Sequence, residues 1–332
     1  MAADPPRKRF GEFALIAKLF APLAAKEKGA FALTDDAATL SVPAGRELVV
    51  TTDTIVEGVH FLRDDPPDLI AKKALRVNLS DLAAKGATPR SYLLALSLPS
   101  YIDNPWLTRF AAGLAEDQNR YAITLIGGDT TSTPGAVTIS ITAFGLSESG
   151  RMLRRAGARP RDIVFVSGTI GDAGAGLAVL KGEGTGLSDF VRSALVSRYQ
   201  LPEPRVALGR ALVGLASSAL DVSDGLLADL SHIAEVSGVK ITIDAARVPV
   251  SASTRALWGN TNDAILKAAS AGDDYEIAFT APASARARVE SLARETGVDV
   301  HEIGRVDAGS GLVLLDERGR PLPVTRAGFT HF

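Results

Sequence analysis

Six short segments set aspartate among threonine, serine and glycine: Thr34-Asp35-Asp36, Thr51-Thr52-Asp53-Thr54, Asn78-Leu79-Ser80-Asp81, Gly127-Gly128-Asp129-Thr130-Thr131, Asp221-Val222-Ser223-Asp224-Gly225 and Gly272-Asp273-Asp274. Carboxylates and hydroxyls are hard oxygen ligands, and magnesium is usually held by one or two carboxylates together with water and substrate phosphates. Any one of these segments reads equally well as a turn or helix cap, where Asp, Ser and Gly are common. Six built alike favour a shared magnesium–phosphate site around Asp36, Asp53, Asp81, Asp129, Asp221 and Asp224. The Asp221–Gly225 turn precedes a helix, whose N–H groups either meet a phosphate, with Ser223 as a further donor, or form an ordinary capped start.

Other chemistries lack their residues. There are no cysteines, which excludes disulfides, thiolate catalysis and iron–sulfur clusters. His60, His232, His301 and His331 are scattered and no zinc-ligand spacing links them. His60 lies just past the strand-end aspartate and faces substrate or is a satisfied loop histidine. No Gly-x-Ser-x-Gly elbow or Walker loop is present. Gly171-x-x-Gly174-x-Gly176 departs from the dinucleotide-binding order and reads as close packing. The arginines from Arg151 to Arg161 bind phosphate or solvate a linker; aromatics do not interleave them, which argues against nucleic acid.

The elements that must position the aspartates follow from periodicity. Leu48-Val49-Val50 belongs to a buried strand over 47–52 with Asp53 at its end, and Asp65-Pro66-Pro67-Asp68 starts a helix that runs to Ala84, with polar Asn78, Ser80 and Asp81 inside it. Such residues in an apolar helix imply that they face a site. A short strand is expected at 35–40, further strands at 92–98, 122–126, 137–142, 163–166, 240–244 and 277–279, and helices at 105–120, 205–217, 225–236 and 284–295. Leu15, Ile16, Leu19, Phe20 and Leu23 fall on one stripe, so 10–25 is an amphipathic helix and not a signal peptide. At 332 residues two domains are expected, with the polar 147–162 segment as boundary. The 36 basic and 38 acidic residues nearly cancel, and no apolar run spans a membrane, so neither nucleic acid nor membrane is an expected partner and the cytoplasm is the expected location.

Asp35-Asp36-Ala37-Ala38, Thr51 to Phe61, Lys73 to Ala84, Gly127 to Thr131, Asp221 to Leu226, Gly272-Asp273-Asp274-Tyr275-Glu276 and the His331-Phe332 tail resemble the thiamine-monophosphate kinase family, in order and over nearly the whole chain. The resemblance implies ATP-dependent phosphorylation of thiamine monophosphate to thiamine diphosphate, the last step of thiamine diphosphate biosynthesis. It implies an α/β (α+β), two-domain, aminoimidazole-ribonucleotide-synthetase-like fold. Residues 1–148 would form the ATP- and magnesium-binding domain, pairing in a homodimer to build a β-barrel, and residues 149–332 the C-terminal domain that completes the active site. Carried over, Asp36, Thr51, Thr52, Asp53, Asp81, Asp129, Asp221 and Asp224 match ligands of several Mg2+ ions. Tyr121, Gly128, Asp129, Arg155 and Ser223 match ATP contacts, and His60, Asp273 and Phe329 substrate contacts. Two departures stand out: Ala32-Leu33-Thr34 replaces a glycine-rich stretch, and Asp273 is one methylene shorter than the family's glutamate.

The acceptor is itself a phosphate, largely ionised at pH 7 with a second pKa near ~6, so no strong general base is required. Direct in-line transfer of the ATP γ-phosphoryl group is expected, with no catalytic side chain and no phosphoenzyme. The rival readings are a non-catalytic magnesium–nucleotide sensor and another ATP-dependent enzyme of the same superfamily.

Overall fold

The structure, a computed structural model, describes residues 9–324, 328 and 329. His331 and Phe332, part of the family resemblance, lie outside the described residues. The chain forms two compact units, Met1–Leu82 with Thr88–Gly150 and Ala83–Ala87 with Arg151–Phe332.

The first unit opens on a helical run, α1 (Glu12–Leu15) and α2 (Ala21–Ala24) joined by a π-turn at Ile16–Phe20. Pro22 has no N–H to give to an α-helical ladder, and the wider turn before it accommodates that loss. Leu15, Phe20 and Leu23 are buried, as the stripe predicts. Then follow β1 (Arg46–Val56), α3 (Pro67–Ala84), β2 (Thr88–Leu98), α4 (Asn104–Tyr121), β3 (Thr124–Ser132) and β4 (Thr138–Glu148). The sheet order is β1-β4-β2-β3. The β1/β4 and β2/β4 pairs are antiparallel and β2/β3 is parallel.

Alternation decides the faces. Tyr92, Leu94, Leu96, Leu98, Ile139, Ile141 and Ala143 are buried on one side. Helix α4 lies there, since the Tyr92 hydroxyl donates to Gln118 at 3.0 Å. Thr52, Thr54, Ser140 and Thr142 occupy the other side. The described residues form an open sheet and no closed barrel.

The short strand expected at 35–40 is instead a loop. Phe31, Ala32 and Leu33 all adopt positive φ, at 48°, 56° and 58°. That left-handed run turns the chain back so that Thr39 N–H donates to Gly29 at 2.8 Å. A loop closed in this way leaves 35–40 without a strand partner.

The second unit runs β5 (Asp162–Ser167), α5 (Asp172–Leu180), α6 (Asp189–Gln200), α7 (Val206–Ala211), β6 (Ser218–Asp221), α8 (Leu226–Ser237), β7 (Lys240–Asp244), α9 (Ala252–Trp258), α10 (Asn262–Ala269), β8 (Ile277–Pro282), α11 (Arg286–Thr296), β9 (Val300–Asp307) and β10 (Gly311–Leu315). The sheet order is β10-β7-β9-β5-β8-β6, and only β10/β7 is parallel. Both faces are covered. Val164 and Val166 join Leu226, Leu230 and Ile233 on one side, while Ile163 and Phe165 join Leu208, Leu212 and Leu292 on the other. A strand buried on both faces reads as a continuous apolar run, which is why Ile163–Val166 was legible. Helix α7 is shorter than the expected 205–217, because Gly214 takes φ 81° and the chain turns.

Candidate active site

In the first unit β1 and α3 build one constellation. The Thr51 hydroxyl donates to Asp81 Oδ2. Two residues along, the Asp53 N–H donates to Asn78 Oδ1 at 3.1 Å, and Asn78 returns its amide to the Ala74 carbonyl at 3.1 Å. Asn78 is fully buried. Its carbonyl gives a strand N–H a side-chain acceptor and so fixes the level at which Asp53 stands beside the helix. Asn78 and Asp81 inside α3 thus have their explanation: they face β1.

Beyond the strand, His60 Nδ1 accepts the Val56 N–H at 3.0 Å, and the buried Lys73 ammonium donates to the His60 carbonyl at 2.8 Å. A neutral imidazole that accepts at Nδ1 carries its proton at Nε2. His60 is therefore set as a hydrogen-bond donor. Lys73 was not singled out by the sequence reading, which saw only a basic residue in an apolar helix.

Asp36 and Asp129 belong to the other edge. Leu33 and Ala38, flanking Asp36, pack with Ala30 against Ile126 of β3. Asp36 and Asp129 are both exposed. Gly128 has φ 155°, and a Cβ there would lie 1.8 Å from the Leu94 carbonyl oxygen, so the parallel ladder requires glycine before Asp129. Across the sheet Asp53 pairs with Ile141, Ile141 with Leu94, and Leu94 with Gly128. The two edges are three strand spacings apart, about 14 Å. Parity turns Thr51 and Asp53 to the helix face and Thr52 and Asp129 to the other. The Thr52 hydroxyl donates to the Ile141 carbonyl at 3.1 Å. One sheet therefore joins Thr51, Asp53 and Asp81, but holds Thr52 and Asp129 apart from them. Tyr121, at the end of α4, has the Arg76 and Arg120 guanidinium groups against its ring, at 5.5 and 5.3 Å.

The first-unit donors are carboxylates and hydroxyls, without nitrogen or sulfur, which fits a hard cation such as Mg2+. Among the described residues no three acidic or histidine side chains gather around one point.

In the second unit the Asp221–Gly225 and Gly272–Glu276 segments pair. Asp273 N–H donates to the Ser223 carbonyl and Tyr275 N–H to that of Val222, both at 2.8 Å, and Val222 N–H returns to Glu276 at 2.8 Å. Phe329 N–H donates to the Asp224 carbonyl at 2.9 Å. Asp221, Ser223, Asp224, Asp273 and Phe329 are thereby brought together. Gly272 is the point of closest approach, since a Cβ there would stand 2.5 Å from the Ser223 carbonyl oxygen. Arg155 is exposed in the segment whose Arg154 carbonyl accepts the Ala219 N–H at 2.8 Å, beside β6.

The N–H groups of Ser223, Asp224 and Gly225 do not await a phosphate. All three donate to Oδ2 of Asp229, at 3.0, 3.1 and 3.2 Å. Burial, and then the Asp224 charge, push the Asp229 carboxyl up to about 7 against the pull of those N–H groups. The glycine-rich turn at 168–176 is occupied likewise: Asp274 accepts from Gly171 N–H at 2.7 Å and Ala173 N–H at 3.3 Å. A Cβ at Gly176 would lie 2.1 Å from the Leu195 carbonyl oxygen, which supports the packing role. Glu276, with no exposed surface, takes Arg198 at 2.9 Å, Arg205 at 2.5 Å and the Ser167 hydroxyl at 2.6 Å. Sequence reasoning missed Asp229, a lone acid within an apolar helix, and saw Asp274 and Glu276 only as motif letters.

Two family models match the two units: "AIR synthase related protein, N-terminal domain" over residues 34–147 and "AIR synthase related protein, C-terminal domain" over 159–317. They define the class as the AIR-synthase-related proteins of mixed α/β, two-domain architecture. A thiamine-monophosphate kinase of Caulobacter vibrioides is 42% identical, covering 99% of this chain and 92% of that protein. A crystal structure of the Stenotrophomonas maltophilia thiamine-monophosphate kinase superposes with a TM-score of 0.83 at 40% identity, over 92% of this chain and 96% of that one. A structure titled "AaThiL complexed with AMPPCP and TMP" superposes with a TM-score of 0.76 at 33% identity, over 92% of this chain and 98% of that one. The chain belongs to the thiamine-monophosphate kinase family.

Proposed function

We propose that this chain transfers the γ-phosphoryl group of ATP to thiamine monophosphate, giving ADP and thiamine diphosphate. The observation that carries the reading is the oxygen donor set of β1 and α3, intact in a chain 42% identical to a thiamine-monophosphate kinase over 99% of its length. The family neighbour holding AMPPCP and TMP supports the substrate pair.

Asp36, Thr51, Thr52, Asp53, Asp81, Asp129, Asp221 and Asp224 are the proposed magnesium ligands. Bound magnesium supplies charge neutralisation for two polyanions and alignment of the attacking oxygen with the γ-phosphorus. His60 donates from Nε2 to the acceptor phosphate. Asp273 and Phe329 contact the same substrate; Gly128, Arg155 and the Ser223 hydroxyl contact ATP, with Tyr121 at its edge. The acceptor oxygen is already ionised, so these residues hold and orient and none takes a proton. Transfer is direct and in line.

We also propose a homodimer built on the first unit, whose open sheet leaves β1 and β3 as unpaired edges. The separation of Asp53 from Asp129 supports that reading, since a second copy supplies the missing half. Mixing inactive Asp53→Asn and Asp129→Asn chains then restores part of the activity; no recovery means each copy is complete alone. The proposed location is the cytoplasm; among the described residues no helix is long and apolar enough to cross a membrane.

The test is product formation from ATP, Mg2+ and thiamine monophosphate. Thiamine diphosphate and ADP in equal amounts are expected. Tight nucleotide binding without product would make the protein a sensor.

A further inference from the structure

The backbone of the turn after β6 is fully accounted for. Its N–H groups go to Glu276 from Val222 and to Asp229 from Ser223, Asp224 and Gly225. Its carbonyls at Val222, Ser223 and Asp224 go to Tyr275, Asp273 and Phe329. Three successive N–H groups converging on one point make a concavity that attracts anions. In this chain the anion is the protein's own: Asp229, at 3% exposure, in the first turns of α8. Whatever the turn binds, it binds with side chains.

We infer that Asp229 is a positioning residue that fills this N–H concavity with a carboxylate and so reserves the turn for cations. Two consequences follow, both resting on the proposed ligand role of Asp221 and Asp224. The turn's geometry, and with it the aim of those two carboxylates, is fixed by a residue that never touches a ligand. The phosphates of the substrates meet this turn through metal or the Ser223 hydroxyl and not through its backbone N–H groups, which are already taken. A hydroxyl or amide at the same place would leave the N–H groups under-satisfied and the turn loose.

The test uses the full chain and two variants, Asp229→Ala and Asp229→Asn, with three readouts taken without nucleotide. Amide exchange over 223–225 is expected to speed up at least about tenfold in Asp229→Ala, as buried N–H groups lose their acceptor. Mn2+ binding, followed by electron paramagnetic resonance, should weaken roughly 10- to 100-fold, the usual cost of removing a supporting residue behind a metal ligand. Sodium formate, a carboxylate small enough for the vacated space, should restore both, which a general loss of packing would not allow. If Asp229→Ala does not fold, Asp229→Asn carries the test: it keeps an acceptor oxygen without the charge, and an intermediate loss in both readouts is expected. Unchanged exchange and unchanged Mn2+ binding in the variant that folds would overturn the inference. Asp224→Asn is the control. If it keeps all its Mn2+, the ligand reading fails and takes the inference with it; if it loses Mn2+ while Asp229→Ala does not, only the role of Asp229 fails.

Discussion

Asp53 stands three residues before the end of β1, which runs on to Val56 past the strand end expected at 52. It lies on an edge strand that one buried amide holds in register, with Asp36 and Asp129 exposed across the sheet. At the end of β6, Asp221 is followed by a turn in which every backbone group of 222–224 is engaged and a second, buried aspartate sits behind the first. The first arrangement leaves its acids at edges, where water, metal or another chain reaches them. The second uses acids as internal acceptors for N–H groups that would otherwise attract anions. Aspartate is therefore doing two jobs in one molecule, and surroundings separate them: carboxylates that keep solvent access suit a cation, whereas buried carboxylates wrapped in N–H groups fix the backbone.

The largest effect should come from the outward acids. Asp53→Asn and Asp129→Asn each lose several kcal/mol of charge neutralisation, so kcat should fall on the order of a thousandfold while the melting temperature stays near wild type. Steady-state ADP release and a thermal scan read both. Wild-type rates in either variant would move that residue to the structural class.

Among the inward acids Glu276 carries the heaviest load. Glu276→Gln removes the carboxylate that Arg198 and Arg205, both largely buried, share, and should cost about 3 kcal/mol of unfolding free energy. Chemical denaturation measures it; a loss below about 1 kcal/mol would mean the arginines find other partners.

Asp274 sharpens the same class through pH. Burial first of all raises its carboxyl well above the ordinary range, although Gly171 N–H and Arg198 oppose the shift. A carboxyl raised on folding adds stability that is complete below its unfolded pKa and is lost as pH rises through the folded one. Asp274→Asn keeps a neutral acceptor, so its stability relative to wild type should climb with pH from acid to neutral. A difference that stays flat with pH would show that the folded Asp274 carboxyl titrates where the unfolded one does.

The smallest effect concerns the loop that carries Asp36. Ala32 has φ 56°, and Ala32→Gly should relieve about 1 kcal/mol of left-handed strain with no change in fold. A destabilised variant would mean that the loop is stiffened, not strained, by its alanine.

Much of this was readable beforehand where chemistry and periodicity agree. Thr51, Asp53 and Asp81 interrupt apolar runs, and an interruption of that kind has few explanations. Asn78 was visible for the same reason. Asp229 was not: in Leu226-Leu227-Ala228-Asp229-Leu230 it looks like any solvent-facing position of an amphipathic helix, and only the three-dimensional turn reveals its partners. The 35–40 loop misled because the left-handed run before it contains no glycine to signal it. Strand β9 carries Glu302, Arg305 and Asp307 among its apolar residues, so its alternation is weak, and β10 is a five-residue run on the sheet edge. The separation of Asp53 from Asp129 depends on strand order, which no local pattern contains.

One measurement bears most directly on the whole account: phosphorus NMR of ATP and thiamine monophosphate with the purified chain, first with Mg2+ and then with excess chelator. Thiamine diphosphate should accumulate with Mg2+, stop when the metal is removed, and fail to form with Asp53→Asn. Thiamine diphosphate made at the same rate with chelator present, or by Asp53→Asn, would contradict the claim that oxygen ligands at the strand ends bring the two phosphates together.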